Sequence, residues 1–123
     1  MTTLLDALEH FARQVPGLLN TSIVHTDEGT SIGAVAHDDD LDGAAADAWF
    51  AEMLVKNQQA LDAAGFDDVT EDIVTTSASS FALTRPLAGT DYFWTAITTR
   101  SGNPGLTRAL MRKCEAQIIE SLP

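Results

Sequence analysis

Residues 16–37 read PGLLNTSIVHTDEGTSIGAVAH, and the interpretation of the whole chain turns on this stretch. Pro16-Gly17 stops a helix, and Leu18 to Thr26 is rich in the Ile, Val and Thr that strands favour. Asp27-Glu28-Gly29 is tight-turn chemistry, and strand residues resume from Thr30 to His37. A β-hairpin is expected, with Gly29 serving the turn and Gly33 marking a bulge or a close backbone approach.

Upstream of the hairpin, Leu4, Leu5, Leu8, Phe11, Ala12 and Val15 recur at steps of three and four, which predicts an amphipathic helix ending at Pro16. Downstream, Asp38-Asp39-Asp40 is expected to cap a helix from Leu41 to about Ala64, with Gly65 as its stop. At 100° per residue this helix carries two apolar faces. Trp49, Phe50, Met53, Leu54 and Leu61 form one. Leu41, Ala44, Ala45, Ala48, Ala51 and Val55 form the other, small enough for a partner helix to approach closely. Strands follow over Val69–Thr76, Phe81–Leu87 and Tyr92–Arg100, separated by turns at Ser77–Ser80 and Ala88–Thr90. Asn103-Pro104 caps a last helix whose stripe is Leu106, Leu110, Cys114 and Ile118. The order is α-β-β-α-β-β-β-α.

With 123 residues, 45% of them hydrophobic and 20% charged, the chain fits one globular domain over residues 1–123 and is too short for a TIM barrel or a full dinucleotide-binding fold. Its net charge of −11 argues against nucleic acid or an anionic membrane as partner, since phosphate contacts need clustered Lys and Arg. The charge is uneven: the first 72 residues carry −13 and the remainder +2. Cys114 stands alone, so no disulfide forms within the chain. No leader is evident between Met1 and Val15, and no apolar run approaches a membrane span, so a cytoplasmic location is expected.

Motifs that resemble chemistry fail on context. Asp38-Asp39-Asp40-Leu41-Asp42-Gly43 opens like a calcium loop, but its twelfth position, where a bidentate Glu belongs, is Trp49. Gly29-Thr30-Ser31-Ile32-Gly33 has the letters of a nucleophile elbow but lies in a hairpin rather than at a strand-to-helix turn. His10, His25 and His37 lack metal-ligand spacing, and Gly102-Asn103-Pro104-Gly105 lacks the Lys of a phosphate loop. No catalytic, metal or cofactor site is assigned, and an enzyme is not expected. Arg108, Arg112 and Lys113 cluster on the last helix, either as a solvated face or as a docking patch for an acidic partner.

The assembled pattern resembles the roadblock/dynein light chain family over essentially the whole chain. The resemblance rests on Leu4–Val15 followed by Pro16-Gly17-Leu18, the Ser22–Gly29 strand and turn, and the Ala-rich helix Leu41–Ala64. Phe81–Leu87, Tyr92–Thr98 and the helix from Gly105 to Leu122 complete it. Asn20 stands where that family often has Gly or another small residue. The resemblance implies an α/β (α+β) fold with a five-stranded, mainly antiparallel sheet and helices on both faces. It further implies a non-enzymatic homodimer in which third strands pair and middle helices lie together, here through Leu41, Ala44, Ala45, Ala48, Ala51, Val55, Ile73, Val74 and Thr75. The implied partner is a small Ras-like GTPase in prokaryotic signalling, which the dimer regulates or scaffolds, with Arg108, Arg112 and Lys113 as candidate docking residues. The alternative from another class is an acidic homodimeric secretion chaperone that holds an effector segment.

Overall fold

The computed structural model describes residues 2–123. Helix α1 spans Leu4–Gln14, strands β1 and β2 span Leu18–His25 and Ser31–Ala36, and helix α2 spans Gly43–Ala63. Strands β3 (Ile73–Thr76), β4 (Ser80–Pro86) and β5 (Tyr92–Thr99) precede helix α3, Pro104–Glu120. The expected order is thus observed. All five strands form one antiparallel sheet in the order β2-β1-β5-β4-β3.

Local chemistry sets the ends of the elements. Thr3 caps α1 in a capping box with Asp6, which satisfies two otherwise orphaned amides. Gly17 leaves that helix at φ +71, and a Cβ there would collide with the Thr99 side chain, so Pro16-Gly17 turns the chain directly into β1. Gly29 closes the hairpin at φ +68. Gly33 serves both expected purposes. It lies beside a register shift in which Ile32 is the extra residue, and a Cβ on it would stand 3.1 Å from Leu4 of α1. Helix α2 ends in a Schellman turn, with Phe66 N–H bonded to the Leu61 carbonyl and Gly65 N–H to that of Asp62.

Two expected element starts move by two residues or more, and the other strand ends shift by at most one. The Asp38–Asp40 run does not cap α2. Asp38 instead accepts the Asp40 amide within its own turn at 3.0 Å, and Asp42 is the cap, accepting from Ala45 N–H at 3.1 Å. Strand β3 begins at Ile73 rather than Val69, because side chains hold the preceding residues away from the ladder. Thr70 N–H bonds Gln58, and Asp72 is held by two arginines.

Helices α1 and α3 cover one face of the sheet, and α2 lies on the other. The larger core is on the α1/α3 side. Phe11 meets Trp94 edge-on with ring centroids 4.6 Å apart, and Leu8, Ile23, Leu83, Leu87, Met111 and Ile118 fill the space around them. The Trp94 indole N–H donates to Thr21 Oγ1 at 2.8 Å, so its one polar atom is satisfied inside the core. The buried stripe of α3 is Thr107, Met111, Cys114 and Ile118; Leu106, at the first turn, is exposed, and Leu110 lies only partly against the core. Burial raises the Cys114 thiol pKa, partly offset by neighbouring Lys113.

Gly17→Ala places a Cβ in a left-handed conformation and against Thr99. It is expected to cost about 1–3 kcal/mol in urea unfolding, whereas Gly65→Ala, with open space around its Cβ, carries only the backbone penalty and should cost less.

Candidate functional site

The middle helix sits on the sheet through Asp47, Phe50, Ala51 and Leu54, packed against Val24, Phe93 and Ile73. This rotation corrects the expected split into two faces. Ala51, assigned to the partner-facing stripe, is 6% exposed and belongs to the core, whereas Trp49, assigned to the large-residue face, is 73% exposed. The cause is a close approach on each flank. A Cβ on Gly43 would stand 3.3 Å from Asn20, and one on Gly29 would stand 3.3 Å from Ala48 Cα. Leu41, Ala44, Ala45, Ala48 and Val55 remain exposed, Leu41 just ahead of the helix.

Strand pairing places three rows of side chains across this face. Val24, Phe93 and Pro86 form one row, and Ala34, Ser22, Thr95, Thr84 and Ile73 form the next. The core contacts of α2 fall on these two rows, and only its first residue, Gly43, approaches Asn20 of the next. The third row, Ala36, Asn20, Ile97, Ala82 and Thr75, lies towards the opposite end of the sheet and stays partly open at Ala36, Ile97 and Thr75. At the sheet's end, β3 pairs only with β4 among the described residues and presents a free edge. Ile73 and Thr75 are half-buried on the α2 side, and Val74 is exposed.

A polar seam lies beneath α2. Asp47, 2% exposed, accepts from Ser22 Oγ at 2.7 Å, and Ser22 Oγ lies 2.8 Å from Thr95 Oγ1. Ser22 has one proton and gives it to Asp47, so Thr95 donates to Ser22 and the three groups form a directed chain. Burial raises the Asp47 pKa, and the Ser22 hydrogen bond pulls it partly back. Among the described residues no Lys, Arg or His lies within ion-pair distance of it. Asn20 Nδ2 and Thr84 Oγ1 are buried on the same sheet face without a protein partner. The readable signal for this seam was a carboxylate on the face that also carries Ala51 and Leu54, and sequence reasoning passed over it.

On its other flank α2 borders a cleft. Ala48, Ala51, Glu52 and Val55 form one wall, and Thr26, Asp27, Glu28 and Gly29 form the other. The cleft continues past Thr26 and Val55 to Leu54, Gln58, Val69, Thr70 and Pro86.

The basic residues of α3 are placed differently from expectation. Arg108 bonds Asp72 at 2.6 Å, Arg112 lies 3.5 Å from Glu71, and Arg85 of β4 bridges Asp72 and Glu115 at 3.4 and 2.9 Å. Arg108 and Arg112 therefore clamp the segment ahead of β3 to α3, and of the docking trio only Lys113 forms no ion pair among the described residues. Among the described residues no cluster of three or more His, Cys, Asp or Glu is arranged to hold a metal, and no helix is long and apolar enough to cross a membrane.

Because folding raises the Asp47 pKa above its unfolded value of 3.8, the folded state binds this proton more tightly, and stability falls as pH rises through that window. Asp47→Asn keeps an acceptor for Ser22 and removes the charge. Its urea midpoint is expected to exceed that of the parent near pH 7, with the gap narrowing as pH falls and closed below about pH 3, where aspartate is protonated in both states.

Neither a family model nor a curated protein sequence matches the chain. Solved structures do. The roadblock/LC7 domain from Streptomyces avermitilis superposes with a TM-score of 0.84 at 13% identity, over 97% of each chain. MglB of Myxococcus xanthus gives 0.81 at 13% identity, over 97% of this chain and 96% of its own. MglC of the same organism gives 0.63 at 24% identity, over 94% and 96%. The two-layered cover of one antiparallel sheet, in this strand order and over this length, is that of the roadblock fold.

Proposed function

We propose that the chain belongs to the roadblock family and acts as a non-enzymatic homodimer that regulates or scaffolds a small Ras-like GTPase in a prokaryotic cytoplasm. The observation that carries this reading is the incomplete cover of the α2 face. A free β3 edge, a partly open row of the sheet and Trp49 at 73% exposure lie around one helix. An unpaired edge strand beside an exposed indole is a liability that pairing with a second copy removes.

In the proposed dimer, β3 strands meet through Ile73, Val74 and Thr75, and the outward side of α2 supplies Trp49 with Leu41, Ala44 and Ala45. Ala51 is excluded by its burial, and Ala48 and Val55 are given over to the cleft. The GTPase reading draws on the family that the sequence resembles, and on structural likeness to MglB, of which one solved form is described as a tetrameric arrangement and another as a gliding protein. The basic residues of α3 carry less of it than the sequence implied, because Arg108 and Arg112 already have intramolecular partners.

Light scattering on a size-exclusion column is expected to give a mass near twice 13.1 kDa. Trp49→Glu should reduce it to the monomer at micromolar concentration while leaving the circular dichroism unchanged. Repeated with the nearest encoded small GTPase, the dimer should shift to a complex that depends on whether GDP or a GTP analogue is loaded. A monomeric parent protein overturns the dimer, and absence of any complex with either nucleotide form overturns the GTPase assignment.

A further inference from the structure

We propose that the cleft between α2 and the β1–β2 turn receives a short cationic, amphipathic segment of a partner protein. This goes beyond the dimer reading and rests on different residues. The cleft consists of two adjoining recesses of about 360 and 220 Å³. It follows α2 from Ala48 to Gln58, a length of about 15 Å at the helical rise, which suits two to three turns of a helix or a short extended strand. Its helix wall is apolar at Ala48, Ala51 and Val55, and the second recess adds Leu54, Val69 and Pro86, with Val69 as much as 77% exposed; Thr26, Gln58 and Thr70 contribute polar groups.

Its rim is anionic. Asp27, Glu28 and Glu52 are all exposed, and none forms an ion pair among the described residues. Among the described residues only Asp72, Glu71 and Glu115 are neutralised locally, by Arg85, Arg108 and Arg112; what sets Asp27, Glu28 and Glu52 apart from the other unpaired acids is that they line one cleft together. No Lys or Arg among the described residues lines the cleft, and Lys56, one turn from Glu52 on α2, forms no ion pair with it. Several unpaired carboxylates gathered around one cleft attract cations more strongly than scattered surface acids do.

These features fix the occupant's chemistry. It must bury aliphatic or aromatic side chains against Val55 and Val69 and present Lys or Arg to Asp27, Glu28 and Glu52. A second copy of this chain fits poorly. At a net charge of −11 it would set like charges against the rim, and its own exposed α2 side carries Glu52.

The probe is a fluorescein-labelled helical peptide of about twelve residues, alternating leucine and lysine faces, read by fluorescence anisotropy. A peptide with glutamate in place of lysine serves as its counterpart. Saturable binding of the lysine peptide, and none of the glutamate peptide, is expected. Glu28→Lys with Glu52→Lys should weaken binding about tenfold or more. Asp39→Lys with Asp40→Lys makes the same change in net charge away from the cleft and should leave affinity within about twofold. Val69→Ser should also weaken binding, and all these positions are exposed enough to keep the fold, checked by melting temperature. Equal losses from the two charge-reversal pairs would mean attraction to net charge alone and overturn the proposal. Binding of the glutamate peptide, or a fall in mass by light scattering as peptide displaces a second copy, would overturn it as well.

Discussion

The Trp94 side chain is the point on which the structure depends. It lies on β5, stacks edge-on against Phe11 of α1 and donates its N–H to Thr21 of β1, so one residue joins two neighbouring strands to the helix above them. Its neighbours Phe93 and Thr95 necessarily point the other way, because side chains alternate across a strand. Fixing Trp94 therefore also fixes the opposite face. Phe93 becomes the floor for Leu54 and Ala51, and Thr95 the last link in the chain to Asp47. The α1/α3 side is packed with large apolar residues, whereas the α2 side mixes a few of them with hydroxyls, an amide and a carboxylate. The two faces of one sheet thus have different work: one holds the domain together, and the other carries a helix that is still partly open to its surroundings.

Much of this was legible in the sequence where local chemistry and periodicity agree. Pro16-Gly17, Asp27-Glu28-Gly29 and Asn103-Pro104 each specify a backbone conformation that few other residues tolerate, and each falls where it was read. Strand order was not readable from periodicity, since pairing β1 with β5 is a long-range event; the resemblance implied the sheet's size and its mainly antiparallel sense but no order. The errors have a common origin. Helical position gives the angle between residues but not which angle faces the sheet, and that choice was made by glycines. Gly29 and Gly43 let the turn and β1 approach α2, which turns Ala51 in and Trp49 out. Likewise, basic residues on α3 looked free because their partners, Glu71 and Asp72, are some forty residues away in sequence.

The charge asymmetry between the two parts of the chain acquires a structural meaning. Its positive remainder is largely spent inside the molecule, where Arg85, Arg108 and Arg112 tether the connection between α2 and β3. Arg85 and Asp72 are mostly buried, so their pairing is screened less by salt than the exposed Arg112–Glu71 contact. The negative excess of the first 72 residues has no such internal outlet at Asp27, Glu28 and Glu52. A charge that folding leaves uncompensated is available to define what approaches the surface.

The lone thiol has a practical meaning of its own. Cys114 sits in the α1/α3 core with its ionisation suppressed by burial, so a thiol reagent has neither access to it nor a thiolate to attack while the core is closed. The chain consequently carries one intrinsic chemical clock. Its modification rate counts openings of α3 from the sheet, separately from any event on the α2 face. Labelling followed by mass could time the breathing of the stable side of the molecule while the other side is engaged.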